Sequence, residues 1–99
     1  MTKVVNKYTS ESYDVYIGRG SPFGNPYIIG IDGNREAVIK KYSDYFHKRL
    51  AEDSEFFKLV LELKDKKLAC FCHPKPCHGD VIVYFLHPEL RKSVDSEWF

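Results

Sequence analysis

This sequence has no long apolar run, almost no net charge, and no cysteine outside one short segment. Its longest strongly apolar run, Val81–Leu86, is far shorter than the roughly 20 residues that cross a membrane as a helix. The first residues lack the apolar stretch that a signal peptide needs, so we expect neither secretion nor membrane attachment. The net charge is +1, from 15 Lys and Arg against 14 Asp and Glu, and this weak field makes duplex nucleic acid an unfavoured partner.

Cysteine is restricted to Cys70, Cys72 and Cys77. An odd number of closely spaced cysteines does not fit the paired pattern of a secreted disulfide framework. The expected compartment is therefore the cytoplasm. In a reducing compartment, neighbouring Cys and His residues indicate a metal site, a reactive thiol or buried thiols.

The chain does contain enough apolar material for one core. With 43% hydrophobic and 15% aromatic residues, 99 residues can form a core without a disulfide or a metal. We expect a single α/β domain over residues 1–99, with residues 93–99 as a C-terminal tail.

Residue patterns predict a short, mainly central sheet of about three strands together with three helices. The strands are expected at Val4 to Lys7, Asp14 to Ile17 and Lys67 to Cys72, with a further extended piece at Tyr27–Ile31. The helices are expected from Arg35 to about Leu50, from Asp53 or Ser54 to Lys64, and from Cys77 or His78 to just before Pro88. Helical spacing predicts core-facing positions in each helix, which are Val38, Tyr42, Tyr45, Phe46 and Leu50, then Phe56, Leu59, Val60 and Leu63, then Val81, Ile82, Phe85 and Leu86.

The segment Cys70–Asp80 occupies a Rossmann-like strand–loop–helix corner, and ligands of open α/β sheets bind at such strand ends. One interpretation is a zinc site, with Cys72, His73, Cys77 and His78 as ligands. Cys70 fits zinc poorly, because it lies about 6.5 Å from Cys72 along an extended strand, and burial in the core is favoured for it.

A second interpretation is a catalytic site. Cys77 lies near the start of the last helix, where free N–H groups favour a thiolate, and Cys72 would be a resolving thiol. His78 and Asp80 would supply acid–base groups, although a capping role also explains Asp80. Gly79 would let a ligand approach the first helical turn, which is a fair site for an anion.

The loop Arg19-Gly20-Ser21-Pro22-Phe23-Gly24-Asn25-Pro26 follows directly on a predicted strand. The Arg19 guanidinium suits phosphate or carboxylate, and Phe23 would stack on a flat ring. Ser21 and Asn25 would add hydrogen bonds, while Gly20 and Gly24 let the backbone approach a ligand. The loop matches neither the phosphate-loop nor the dinucleotide glycine pattern, and a structural turn with Arg19 in a salt bridge stays an alternative.

Four short motifs carry a resemblance to a known family: Tyr16-Ile17-Gly18-Arg19, Gly24-Asn25-Pro26, Cys70-x-Cys72 and Pro76–Asp80. From about Val4 to Leu86 the chain resembles an uncharacterised domain family of phages, bacteria and archaea. The resemblance implies one shared site, formed by Arg19, Asn25, Cys72, Cys77, His78 and Asp80. The phage members imply a phage accessory protein that acts in the host cytoplasm.

The leading functional hypothesis is a small domain that binds a nucleotide-like or phosphorylated small molecule, with a Cys/His/Asp site if it is an enzyme. One alternative is a zinc-stabilised, non-enzymatic module that binds a protein or nucleic acid. Another is a phage protein that sequesters a host nucleotide. A homodimer through a short sheet edge or through Trp98 and Phe99 also stays open.

Overall fold

The computed structural model describes residues 1–8, 12–71 and 75–93, with the backbone alone for residues 91–93. Cys72, His73 and most of the predicted tail lie outside these residues. Three strands and three helices follow one another along the described chain, so the predicted α/β fold class is confirmed. In order they are β1 (Lys3–Asn6), β2 (Val15–Tyr16), α1 (Arg35–Glu52), α2 (Ser54–Leu61), β3 (Lys67–Cys70) and α3 (His78–Leu86), followed by a 3-10 helix at Pro88–Ser93.

The three strands form one parallel sheet in the order β1-β3-β2. Leu68 of the central strand pairs with Val4 on one side and with Val15 on the other. Leu68 and its neighbour Ala69 point to opposite faces, and both are fully buried, as expected for the central strand of a parallel sheet. Because the strands are parallel, their carboxyl ends share one edge of the sheet.

Aromatic rings from all three helices meet in the core. Tyr42 and Phe46, one turn apart on α1, are fully buried and stack with ring centroids 5.7 Å apart. Phe46 also meets Phe56 of α2 and Phe85 of α3 edge to face, at 5.8 and 5.7 Å. The burial predicted for Tyr42, Phe46 and Phe56 from helical spacing is confirmed.

Local capping signals predicted the helix starts well. The Asn34 side chain accepts a hydrogen bond from the Ala37 amide, and the Asp53 side chain accepts one from the Phe56 amide. The predicted end of the second helix is wrong, because the chain turns after Leu61 and passes through Asp65 with φ of 65°. Leu59, predicted to be buried, is 40% exposed.

The extended piece predicted at Tyr27–Ile31 is a loop that ends in a turn. The Ile28 carbonyl accepts from the amides of Ile31 and Asp32, and the Asp32 carboxylate accepts from the Ile28 amide. The aspartate side chain thus closes the turn, and no neighbouring strand pairs with this segment within the described sheet.

His87 ties the two ends of the fold together. It is 6% exposed, and its Nε2 accepts from the Thr2 amide at 3.2 Å, while Thr2 Oγ1 lies 2.9 Å from the same nitrogen. The sequence around His87 offers no partner and so predicts a surface position. This prediction is wrong, because the partner is 85 residues away. No helix in the described ranges is long and apolar enough to cross a membrane.

Candidate functional site

A pocket of about 210 Å³ opens where β2 and β3 end. Arg19 follows β2, Cys70 ends β3, and His78 and Arg35 are the first residues of α3 and α1. The carboxyl edge of a parallel sheet is the usual ligand site of this fold class. The described residues that line the pocket are Gly18, Arg19, Asn25, Tyr27, Ile29, Arg35, Val38, Ile39, Cys70, Phe71, Pro76, Cys77 and His78.

Arg19 holds the loop that forms one wall. Its two Nη atoms donate to the carbonyls of Asn25 and Tyr27, at 3.0 and 3.1 Å. The Asn25 side chain in turn donates to the Val38 carbonyl in α1 at 3.3 Å. Carbonyls satisfy donors without cancelling the charge, so the guanidinium stays a positive group at the pocket.

Arg35 brings a second guanidinium to the same pocket. It is half-buried, and its Nη1 donates to the Pro76 carbonyl at 3.1 Å. This bond joins the start of α1 to the segment that precedes α3. No carboxylate is present among the described lining residues, so the two arginines make the pocket electropositive.

Two cysteines lie side by side in the pocket wall. The sulfur atoms of Cys70 and Cys77 are 3.2 Å apart, and both residues are almost fully buried. The hydrogen bond with Cys70, and then burial, raise the pKa of the Cys77 thiol far above its usual value. Cys77 is therefore a neutral thiol at neutral pH, which disfavours the thiolate that the catalytic interpretation needs.

His78 is held as a neutral imidazole. It is 8% exposed, and its Nε2 lies 2.7 Å from the Ile17 carbonyl, so Nε2 must carry the hydrogen. Burial lowers the pKa of His78; the hydrogen bond to Ile17 opposes this shift, and the charge of Arg19 reinforces it. Nδ1 is left as a hydrogen-bond acceptor.

The lowered pKa of His78 predicts a stability that depends on pH. The unfolded chain binds a proton near pH 6.5 while the folded chain does not, so the free energy of unfolding should fall as the pH drops below about 6.5. His78→Gln keeps a donor for Ile17 but cannot titrate, so its stability should fall less over the same range. Urea denaturation of both proteins between pH 5 and 8 measures the difference, and parallel curves would contradict this assignment.

Three aromatic rings cluster around Phe71, an exposed residue of the pocket lining. Phe71, which lines the pocket, is 44% exposed, and its ring centroid lies 5.0 Å from that of Tyr8 and 5.8 Å from that of Tyr16. Lys7 Nζ lies 4.5 Å from the Tyr16 ring centroid. We refer to Tyr8, Tyr16 and Phe71 as the aromatic rim.

Comparison with known proteins places the chain in a family. The family described as Domain of unknown function (DUF4326) matches residues 2–87. The chain belongs to the DUF4326 family. The resemblance predicted from the sequence is thus confirmed at the level of the family.

One relative of this DUF4326 domain is the Enterobacteria phage T4 protein described as "Uncharacterized 12.4 kDa protein in nrdA-td intergenic region". The two are 42% identical over 99 residues, which cover 98% of this chain and 88% of the T4 protein. No solved structure matches the chain.

The pocket brings together four of the residues predicted for the DUF4326 site: Arg19, Asn25, Cys77 and His78. The other described candidates do not line it; these are Gly20, Ser21, Phe23, Gly24, Gly79 and Asp80. Phe23, predicted to stack on a ligand, is instead 6% exposed and packs in the core 6.0 Å from Phe56. The Ser21 hydroxyl donates to the Gly18 carbonyl, which closes the turn.

Packing explains Gly24 and Gly79, and capping explains Asp80. A Cβ on Gly79 would lie 2.8 Å from Ile17 Cδ1 and 2.9 Å from Val4 Cγ2, so the glycine lets α3 approach the sheet. Close packing also requires glycine at position 24, since a Cβ there would lie 2.8 Å from the Gly18 carbonyl oxygen. The Asp80 carboxylate accepts from the Cys77 amide at 3.1 Å and lines a different cavity, of about 380 Å³.

Zinc binding stays a prediction for this DUF4326 domain. Cys72 and His73, two of the four proposed ligands, lie outside the described residues. The role of Cys72 as a resolving thiol therefore also stays a prediction. Within the described chain no group of three or more His, Cys, Asp or Glu residues is close enough to hold a metal ion. The other two proposed ligands, Cys77 and His78, are hydrogen-bonded to Cys70 and to the Ile17 carbonyl.

Sequence reasoning missed Arg35, Phe71 and the position of Cys70 in the pocket wall. Arg35 follows the helix cap Asn34, and this placement was a usable signal, because the first helical turn of an α/β unit faces the strand ends. Phe71 lies between two cysteines that drew attention to metal binding. Nothing local marks Cys70 as the neighbour of Cys77.

Proposed function

We propose that this domain binds a phosphorylated, nucleotide-like small molecule in the pocket between the Arg19 loop and Cys77. The observation that carries the proposal is the pair of guanidinium groups, Arg19 and Arg35, in one concave site whose described lining has no carboxylate. A phosphate is the ligand group that such a pair recognises best, because guanidinium donors match its oxygens in charge and geometry.

Arg35 is the better placed of the two to bind a phosphate directly. Arg19 already uses both Nη atoms on loop carbonyls, whereas Arg35 uses only Nη1 within the described structure. The first turn of α1 adds backbone amides and the positive end of a helix dipole beside Arg35. Arg19 therefore contributes positive charge and holds the loop in place, whereas Arg35 would contact the phosphate directly.

The remaining walls suit a flat, uncharged ring. Val38 and Ile39 supply an apolar surface on α1, and Phe71 supplies an exposed ring at the mouth. A volume of about 210 Å³ is below the roughly 300 Å³ at which drug-sized ligand pockets begin. A mononucleotide would thus lie partly outside the pocket, with its base against the aromatic rim.

Binding is favoured over thiolate catalysis by the state of Cys77. A thiol that is buried and hydrogen-bonded to a second thiol is a poor nucleophile at neutral pH. Sequestration of a nucleotide needs no reactive group, so it fits the same pocket. The T4 relative supports the host cytoplasm as the compartment.

A thermal-shift screen tests the proposal with four probes: a nucleoside 5′-monophosphate, ribose 5-phosphate, the free nucleoside and inorganic phosphate. We expect the monophosphate to raise Tm most, ribose 5-phosphate to raise it less, and the nucleoside to raise it least, because the charged contacts dominate. Phe71→Ala should remove most of the advantage of the monophosphate over ribose 5-phosphate, since that advantage comes from base stacking.

The matched control is Phe57→Ala, which removes a similarly exposed ring on α2, remote from the pocket lining. It should leave the order of the probes unchanged. Equal shifts with the nucleoside and the monophosphate, or none with any probe, would refute the proposal. Chromatography of the same samples decides between sequestration, which returns the nucleotide intact, and an enzyme, which converts it.

A further inference from the structure

The sulfur atoms of Cys70 and Cys77 are closer than two unbonded sulfurs usually approach. Their separation is 3.2 Å, and they belong to the end of β3 and to the residue that caps α3. A disulfide needs about 2.05 Å, so each sulfur would move by roughly 0.6 Å toward the other.

Access to the pair is through the ligand pocket. Cys70 and Cys77 are 1% and 3% exposed, yet both line the pocket. The pocket is therefore the route by which a small reagent would approach the two sulfur atoms. Cys72, two residues from Cys70, is the competing thiol and is tested below.

We propose that Cys70 and Cys77 are a two-electron redox pair that forms a reversible disulfide with a small-molecule disulfide, such as 2-hydroxyethyl disulfide, as the oxidant. One thiol loses its proton to solvent and attacks the oxidant, which gives a mixed disulfide and releases one reduced thiol. The second cysteine, also deprotonated, attacks the protein sulfur of the mixed disulfide. The Cys70–Cys77 bond forms, and the second reduced thiol leaves.

The balance is two protein thiols and one small disulfide giving one protein disulfide and two small thiols. The bond would link β3 to α3 across residues 71–76, which carry Phe71 and the Pro76 carbonyl that binds Arg35. The redox pair does not depend on the proposed ligand.

Intact-mass analysis of the full chain after incubation with 2-hydroxyethyl disulfide tests the inference. We expect a loss of two hydrogen masses, reversed by dithiothreitol. After alkylation, cleavage by chymotrypsin at Phe71 separates Cys70 from the other two cysteines. The expected result is one linked pair of peptides that joins Cys70 to Cys77, with Cys72 alkylated.

Variants keep the test decisive. Cys72→Ser should form the same bond at a similar rate, whereas the double variant Cys70→Ser/Cys72→Ser should retain bound 2-mercaptoethanol on Cys77. If the double variant does not fold, the peptide map of Cys72→Ser still decides. A link from Cys72 to Cys77, three alkylated cysteines after oxidation, or one bound zinc per chain that blocks oxidation until a chelator removes it would each overturn the proposal.

Discussion

Replacing Arg35 with alanine is expected to weaken the binding of a nucleoside monophosphate by about tenfold to a hundredfold. A hydrogen bond to a charged partner contributes about 1.5–3 kcal/mol, and each 1.4 kcal/mol corresponds to a factor of ten in Kd. The fold should tolerate the change, because the Pro76 carbonyl that loses its donor belongs to an exposed residue and can be hydrated. Isothermal titration calorimetry of both proteins measures the effect.

Two control variants distinguish contact from general charge. Lys40→Ala removes a positive charge from an exposed position of the same helix, outside the pocket, and should change Kd by less than about twofold. Arg35→Lys keeps the charge but loses the paired donors, so its Kd should lie between those of the wild type and the alanine variant. An unchanged Kd in Arg35→Ala would show that the phosphate binds elsewhere.

Phe46→Ala is expected to lower the free energy of unfolding by about 3–5 kcal/mol. The ring is fully buried and contacts an aromatic side chain in each of the three helices, so truncation leaves a cavity at their common contact. For a domain of this size the loss corresponds to a fall in Tm of at least about 12 °C. Urea denaturation followed by circular dichroism measures it.

Phe57→Ala is the matched comparison, since the same atoms are removed from a ring that is 39% exposed on α2. We expect a loss below about 1.5 kcal/mol. Similar losses at both positions would mean that the helices do not share one aromatic core. The comparison also checks whether the Phe57 variant is sound as a control for ligand binding.

Signals that act within a few residues were readable in the sequence. Asn34 and Asp53 begin helices because their side-chain oxygens accept from the backbone amides three residues onward. The start of α3 was predicted at Cys77 or His78 from the helical spacing of apolar residues, and its end from Pro88. Tyr42 and Phe46 were identified as core residues because helical geometry places them on one face.

Residues whose partners are distant in sequence were predicted poorly. His87 was assigned to the surface, although Thr2 binds it at the other end of the chain. Phe23 was predicted to stack on a ligand, but it is buried against Phe56. No role was predicted for Phe71, which is exposed at the end of β3. Composition and spacing carry no information about such contacts.

The sequence by itself determined the fold class, the family and most element boundaries, because these follow from periodicity, capping and motifs that operate within one segment. It also identified Arg19, Asn25, Cys77 and His78 as candidates. Only the tertiary structure decided that these four share one pocket with Arg35, and that Cys70 is the neighbour of Cys77. The physical reason is that the parallel order β1-β3-β2 places β2 beside β3 and gathers their carboxyl ends at one edge, a juxtaposition that no local pattern encodes.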